Sequence, residues 1–144
     1  MKRKYFFVVL FLTLAIFLSG CSGIVTPDSN DVGGDFYICE NLLKGFYTAL
    51  SNQNFAQALA YCKSGGIAFK LTNSMWDLAL EYPMFYRIYN VFSVYDFSYQ
   101  GLYLKCYYDY SYTDKDIYGT TYETGYKYNN LIHFEKVNGE WKLS

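Results

Sequence analysis

Two aspartates and one histidine are the side chains best suited to acid–base chemistry. A carboxyl or imidazole group acts as a general acid or base when burial holds its pKa near the working pH. Asp96 and Asp109 fall in predicted strands, where they would face either a pocket or solvent. The sole histidine, His133, alternates with Ile132 and Phe134, which predicts that it points away from the core. No serine-nucleophile, phosphate-loop or paired-carboxylate motif accompanies them, so we predict no catalytic residue.

Three cysteines, Cys39, Cys62 and Cys106, leave two interpretations open. Cys39 and Cys62 fall on successive predicted helices and could form a disulfide near the open end of a helical hairpin. Alternatively, all three are small buried apolar side chains, which is common for free cysteine. The chain has no Cys-x-x-Cys spacing and one histidine, so we predict neither a metal site nor a cofactor.

The fourth cysteine, Cys21, has a different setting. Three basic residues at positions 2–4 precede a 14-residue, mainly apolar stretch that ends at Leu18. A membrane-spanning helix needs about 20 apolar residues, so this stretch is typical of an export signal. The segment Leu18-Ser19-Gly20-Cys21 resembles the lipobox of bacterial lipoproteins, which implies recognition of Leu18, Ser19 and Gly20 by the signal peptidase and lipidation of Cys21. We therefore expect an extracytoplasmic protein held on the cell membrane or outer membrane by lipid.

The remaining chain divides into a tether and one domain. Residues 1–20 are the predicted signal peptide, residues 21–34 a lipidated cysteine and flexible polar tether, and residues 35–144 a single domain of about 110 residues. Three of the 12 basic residues but none of the 13 acidic ones precede Cys21, so the exported part is net acidic. An acidic domain without a basic cluster is not expected to bind nucleic acid.

Helical periodicity dominates the first half of the domain. Apolar residues recur at three- and four-residue steps at Phe36, Cys39, Leu43, Phe46, Tyr47 and Leu50. Asp35 is the predicted N-cap of this helix, and Asn54 that of a second helix that ends before Gly65-Gly66. A third helix is predicted over residues 73–81.

The second half alternates with a period of two. We predict strands over residues 91–99, 102–113 and 120–137, a turn at Gln100-Gly101, a loop at residues 114–116, and bulges at Gly125 and Asn129-Asn130. Asn138-Gly139 favours a two-residue hairpin in which Val137 opposes Glu140. Helices followed by an antiparallel meander define an α+β class.

Most of the 18 tyrosines lie in these strands. A tyrosine offers a broad apolar ring with one polar tip, which suits stacking on sugars or packing against a protein. It is also simply a good strand residue at the boundary between core and water. Leu102, Leu104, Cys106 and Tyr108 are predicted to share the core face of the second strand. Tyr103 and Tyr107, on the opposite face, are the candidates for a binding or dimer surface.

The helix–turn–helix segment 46–58 and the closing hairpin 134–143 resemble those of nuclear-transport-factor-2-like (cystatin-like) domains, as found in small bacterial lipoproteins. The resemblance covers residues 35–144. It implies a cone in which a curved antiparallel sheet wraps the helices, with a pocket and a homodimer through the sheet as common features. The superfamily holds isomerases and dehydratases beside non-catalytic members, so fold alone does not decide function. We expect a non-catalytic protein that binds an unknown protein, glycan or other ligand; a small pocket enzyme is the alternative.

Replacing Cys21 tests the anchor. The Cys21→Ala variant should incorporate no fatty acid, because the thiol that accepts the lipid is gone, and it should persist as precursor or be released. Metabolic labelling with radioactive palmitate, followed by fractionation, measures both. Labelling equal to that of the wild-type protein would contradict lipidation at Cys21.

Overall fold

The computed structural model describes residues 32–144, which form three helices and one antiparallel sheet. The helices are α1 (Val32–Ser51), α2 (Phe55–Tyr61) and α3 (Ile67–Glu81). The strands are β1 (Phe85–Gln100), β2 (Tyr103–Asp116), β3 (Thr121–Val137) and β4 (Glu140–Leu143), in the spatial order of the sequence. The predicted α+β class, with helices packed in a curled sheet, is confirmed.

The predicted signal, the lipobox and most of the tether lie outside the described residues. Within residues 32–144, no helix is long and apolar enough to span a membrane.

Helix α1 begins at Val32, three residues before the predicted N-cap Asp35. The capping prediction is wrong because Asp35 lies inside the helix and its carboxylate bonds to the sheet instead. The predicted apolar face is otherwise present: Cys39, Leu43 and Leu50 are almost fully buried.

The corner between α1 and α2 follows the predicted break. Gln53 adopts a left-handed conformation, with φ of 54°, and the N–H of Asn54 bonds to the carbonyl of Ala49, which ends α1 in a Schellman-type turn. The side chain of Asn54 accepts the N–H of Gln57 at 3.1 Å, which confirms it as the N-cap of α2. After α2, Lys63 donates its N–H to the carbonyl of Leu143, so this connection covers β4.

Helix α3 begins at Ile67, six residues earlier than predicted. Its first two turns bury Ala68 and Thr72, while Ile67 and Leu71 face solvent. The hydroxyl of Thr72 donates to the carbonyl of Ala68 at 2.8 Å, so the polar group of this core residue is hydrogen-bonded. The apolar pattern therefore gave no signal for these turns.

The closing hairpin has the predicted register. Asn138 and Gly139 have φ values of 53° and 86°, and Val137 pairs with Glu140. Phe134, Trp141 and Leu143 consequently share the core face.

Three predicted strand boundaries are wrong. Strand β1 begins at Phe85 rather than at residue 91, because residues 85–90 pair with residues 111–116 of the long strand β2. The β1–β2 turn occupies Gly101 and Leu102, because Gln100 pairs with Tyr103, and Leu102 is exposed rather than inward. Strand β2 continues through residues 114–116, predicted as a loop. Both aspartates in this stretch are accommodated: Asp114 pairs with Arg87, and Asp116 accepts the N–H groups of the following turn.

One of the two predicted bulges is present. Pairing of β2 with β3 shifts between Tyr108 and Tyr110, opposite Asn129, whose φ is 54°. Gly125 instead pairs regularly with Tyr112, and a Cβ at this position would approach the Tyr112 ring to 2.5 Å. Gly125 therefore provides space for the Tyr112 ring and does not form a bulge.

The inner face of the sheet and the helices form the core. Leu104, Cys106 and Tyr108 are buried, as predicted, against α1. Cys39, Cys62 and Cys106 are all buried and free, as the second of the two cysteine interpretations expects.

Asp35 ties the start of α1 to three strands. Its carboxylate accepts hydrogen bonds from the Tyr99 hydroxyl at 2.6 Å and the Trp141 indole N–H at 2.8 Å, and Lys136 lies 3.4 Å away. Burial raises the pKa of Asp35, but the two hydrogen bonds and the charge of Lys136 outweigh it and leave the pKa lowered. The ionised form therefore stabilises the fold.

Neutralising this carboxylate should destabilise the domain. We expect Asp35→Asn to lower the free energy of unfolding by about 2 kcal/mol at pH 7, since bonds from Tyr99 and Trp141 to a charged acceptor are lost. A carboxyl with a lowered folded pKa stabilises above its unfolded pKa, near 3.8, and that contribution disappears as the pH falls through the folded value.

The difference between wild type and variant should thus be full above pH 5 and shrink below about pH 4. Urea unfolding of residues 32–144, which form one compact unit, measures it at each pH. Asp77→Asn, on the exposed side of α3, is the control and should change stability by less than about 0.5 kcal/mol. A difference independent of pH would contradict the assigned role of the ionised form.

Candidate functional site

A cavity of about 640 Å³ lies between α3, the α1–α2 corner and the first residues of β1. This volume falls within the usual range of small-molecule sites. Most of its lining is apolar, and the residues are Leu50, Gln53, Phe55, Met75, Leu78, Ala79, Tyr82, Phe85, Tyr86, Arg87, Tyr89, Asp114 and Tyr122.

One ion pair interrupts the apolar wall. Arg87 and Asp114 are direct partners in the β1–β2 ladder, so their side chains share a face. Nε of Arg87 lies 2.5 Å from one carboxylate oxygen and Nη2 lies 2.6 Å from the other, a bidentate arrangement. The hydrogen bond from Arg87 to Asp114 raises the pKa of the guanidinium despite partial burial, so Arg87 stays charged.

A layer of tyrosines supports the inner end of the cavity. The ring of Tyr89 packs against Tyr47 and Tyr110, with centroid distances of 5.1 and 5.9 Å. The backbone N–H of Tyr89 donates to the Ser51 hydroxyl at 2.8 Å, which fixes this part of edge strand β1 to the end of α1. These contacts hold the inner wall of the cavity in place, which favours a preformed site.

Exposed apolar side chains surround the mouth. Leu78, Tyr82, Phe85 and Tyr122 are each more than half exposed. The Tyr122 hydroxyl donates to Asp116 at 2.9 Å, and its ring packs edge-on against Phe85 at 5.5 Å. Tyr122 is thereby held over the opening.

The predicted pocket acids do not line this cavity. Asp96 is exposed at an irregular point of β1, with φ of 54°. Asp109 points from β2 to the outer, convex face of the sheet, because its neighbours Tyr108 and Tyr110 occupy the inner face. One oxygen of Asp109 accepts the Tyr95 hydroxyl at 3.0 Å and the N–H of Asn129 at 2.8 Å.

The charges of Asp96 and Asp109 both affect the pKa of Tyr95. Burial raises the pKa of Tyr95, and the bond to Asp109 and the charges of Asp109 and Asp96 raise it further. Of the two acids, Asp109 contacts the Tyr95 hydroxyl directly on the outer face. His133 also lies on that face, opposite Lys105 in β2.

Tyr103 and Tyr107 lie on the convex face, at the end nearer the β1–β2 turn. Tyr103 is 43% exposed, and the Tyr107 ring stacks on Tyr95 at 6.3 Å. Three more aromatic residues, Phe92, Tyr126 and Tyr128, occupy the middle of the face and were not singled out from the sequence. Exact bulge positions determine which residues point outward, so alternation alone could not find them.

The three thiols are poor candidates for nucleophiles. Burial raises the pKa of Cys39 and of Cys106 to about 12, and it also raises that of Cys62. Among the described residues, no group of three or more histidine, cysteine or acidic side chains could hold a metal ion.

Arg87 and Asp114 were not predicted as site residues. They are 27 residues apart, and their meeting depends on the register of two long strands. The available signal was weak: an arginine just before the first predicted strand and an aspartate in a stretch assigned to a loop. What the cavity offers chemically is apolar contact together with hydrogen bonding at one ion pair.

No protein-family description and no curated protein sequence matches this chain. Several solved structures resemble it, among them the following three. A protein from Catenulispora acidiphila matches with a TM-score of 0.59 at 7% identity, over 77% of this chain and 87% of that one. A type 2 hexachlorocyclohexane dehydrochlorinase, LinA, matches with a TM-score of 0.54 at 14% identity, over 81% of this chain and 85% of that one.

The third structure, Bd1075 of Bdellovibrio bacteriovorus, matches with a TM-score of 0.50 at 14% identity. The match covers 73% of this chain but 36% of Bd1075, so the chain spans about a third of that protein. At these identities the likeness concerns the fold alone. Together with the helices packed against a curled four-stranded sheet, it places the chain in the α+β, nuclear-transport-factor-2-like fold.

Proposed function

We propose that the protein is a membrane-anchored, extracytoplasmic binding protein, without catalytic activity, whose cavity takes a small, mainly apolar ligand with an uncharged polar end. The observation that carries this proposal is the cavity of about 640 Å³, whose apolar wall is interrupted by the Arg87–Asp114 pair. Such a wall supplies affinity through apolar burial, and the polar pair supplies orientation.

Because Arg87 and Asp114 carry opposite charges, the pair favours a ligand whose polar group is neutral. A guanidinium has five N–H donors, and Asp114 takes two of them. The Tyr89 hydroxyl is a further hydrogen-bond partner of Arg87. The donors that remain suit a carbonyl or hydroxyl oxygen. A ligand carboxylate or sulfonate would be attracted by Arg87 but repelled by Asp114, so an anion gains little at this position.

The same pair supports a binding role over the enzymatic alternative. The commonest general bases in such a cavity are an available carboxylate or an imidazole group. Asp114 is the one carboxylate among the lining residues of the described chain, and Arg87 engages both of its oxygens. LinA is named as a dehydrochlorinase, but at 14% identity its activity is not transferred to this chain.

The proposed anchor is lipid on Cys21, and it would keep the cavity close to a membrane surface. Two or more acyl chains hold a protein durably on a bilayer. An apolar ligand is concentrated in or near a membrane, so the proposed location and the proposed ligand chemistry are consistent with each other.

Filling the cavity should abolish binding of a neutral apolar probe. We expect Ala79→Trp to weaken binding of N-phenyl-1-naphthylamine by at least about tenfold, because the indole occupies the ligand's volume. Fluorescence titration of residues 32–144 measures the Kd, and Ala56→Trp, at an exposed site of α2, is the matched control. Equal binding by the two variants, or no binding by the wild type, would contradict the proposed site.

Changing the charge at the ion pair should change which probe binds. The dye 8-anilinonaphthalene-1-sulfonate has the same body as N-phenyl-1-naphthylamine with one sulfonate added. In Asp114→Asn, Arg87 loses its counter-ion, so we expect sulfonate binding to improve by about tenfold while the neutral probe changes little. Glu140→Gln, an exposed acid on β4, is the control. Equal gains for both probes would show that Arg87 does not contact the ligand's polar end.

A further inference from the structure

The middle of the sheet's outer face carries aromatic rings around a fixed polar group. We call it the convex aromatic surface, and it consists of Phe92, Tyr95, Asp109, Tyr126, Tyr128 and Asn129. The exposed fractions of Phe92, Tyr126 and Tyr128 are 48%, 60% and 60%. None of these residues lines the cavity.

Two adjacent irregularities in the sheet create this surface. Pairing shifts between Val91 and Ser93 on β1, and between Tyr108 and Tyr110 on β2. Val91 packs against the core, so the extra residue Phe92 is turned outward. Its ring meets Tyr128 edge-on at 6.2 Å, across the width of β2. The Tyr126 ring lies 6.3 Å from Tyr128 and within 11° of parallel to it.

A polar group is held beside the rings in a fixed orientation. Asn129 has a left-handed backbone, and its N–H and the Tyr95 hydroxyl both bond to Oδ1 of Asp109. The Tyr95 hydroxyl also lies 2.8 Å from the side-chain oxygen of Asn129. These bonds fix the orientation of the Asp109 carboxylate and of the Asn129 amide relative to Tyr95.

We propose that the convex aromatic surface is a binding site for an uncharged, hydroxyl-rich saccharide chain. The C–H face of a pyranose ring carries partial positive charge and stacks on the electron-rich face of an aromatic ring. Neighbouring sugar hydroxyls both donate and accept hydrogen bonds, which matches an acceptor on Asp109 beside a donor on Asn129. The combination of rings, acceptor and donor within one rigid patch is the complementarity that carries the inference.

Charge distinguishes this ligand from other occupants. Asp109 lies within the surface and the charge of Asp96 reaches Tyr95, whereas the basic side chains of the outer face, such as Lys105 and Lys115, lie toward its ends. An anionic polymer would be repelled there. A second copy related by a two-fold axis through the patch would bring the two Asp109 carboxylates together. An uncharged polyhydroxyl chain is subject to neither of these charge repulsions.

Affinity electrophoresis tests the site with the full-length protein in a polyoxyethylene detergent, which contains no sugar. Native gels are cast with hydroxyethyl cellulose, soluble starch or glycol chitin as the probe. We expect at least one polysaccharide to retard the wild-type protein. Tyr128→Ala should weaken that interaction by about tenfold, since a stacking ring is removed.

Two variants separate binding from folding. Asn129→Gly keeps a residue that tolerates the left-handed backbone while removing the amide, and it too should reduce retardation. Tyr118→Ala removes a tyrosine that is 78% exposed in the β2–β3 turn, outside the surface, and should leave retardation unchanged. Ala79→Trp should also bind polysaccharide normally, so failure of the cavity proposal and failure of this one are distinguishable.

Three results would overturn the inference. They are no retardation of the wild-type protein in any of the gels, equal loss in Tyr118→Ala and Tyr128→Ala, and no loss in Tyr128→Ala. Sedimentation equilibrium adds a further criterion. A wild-type dimer that Tyr128→Ala converts to a monomer, without any polysaccharide binding, would assign the face to a second copy of the chain, as the resemblance to dimeric domains suggests.

Discussion

The carboxylate of Asp35 is the interaction on which the arrangement of helices and sheet depends. It lies on α1 and receives the hydroxyl of Tyr99 at the end of β1 and the indole N–H of Trp141 on β4, the two outer strands of the sheet. A single buried anion thus joins both sheet edges to one helix. Lys136 compensates its charge and also lies over the Trp141 ring, 4.8 Å from the centroid. Curvature of the sheet around α1 is therefore maintained by polar bonds as well as by apolar packing.

That curvature separates two chemically different faces. On the inner side, tyrosines pack on α1 and leave a cavity where α3 and the start of β1 diverge. On the outer side, bulges in neighbouring strands turn aromatic rings toward solvent and hold Asp109 and Asn129 between them. The bulges contribute to both faces, because an extra residue bends a strand and also reverses which side chains point outward beyond it. The high tyrosine content accordingly reflects two environments, with Tyr47 and Tyr108 in the core and Tyr126 and Tyr128 exposed.

Local signals were sufficient for part of the fold. The Asn138-Gly139 turn specified its hairpin, and Asn54 specified the start of α2, because each depends on a few neighbouring residues. Features that depend on distant partners were not predictable. Asp35 has the residue type of a helix cap, and only the positions of Tyr99 and Trp141 make it a core residue. The Thr72 hydroxyl donates to the Ala68 carbonyl within the helix, so a polar residue lies in the core. The apolar pattern of the sequence therefore did not indicate the first turns of α3. The Arg87–Asp114 pair in the cavity depends on the register of two long strands, and the outward position of Phe92 on the convex aromatic surface depends on a bulge, so neither was predictable.

The meander topology has a consequence for the order of folding. Each strand pairs with the next one in sequence, so the sheet can assemble through short turns at low loop-closure entropy. The bond between Asp35 and Trp141 instead joins residues 106 positions apart. This contact has the highest closure entropy among the interactions that shape the domain, so it is expected to form after the hairpins. The helix would then dock onto a sheet that already exists, and in unfolding the same end of the molecule would open first.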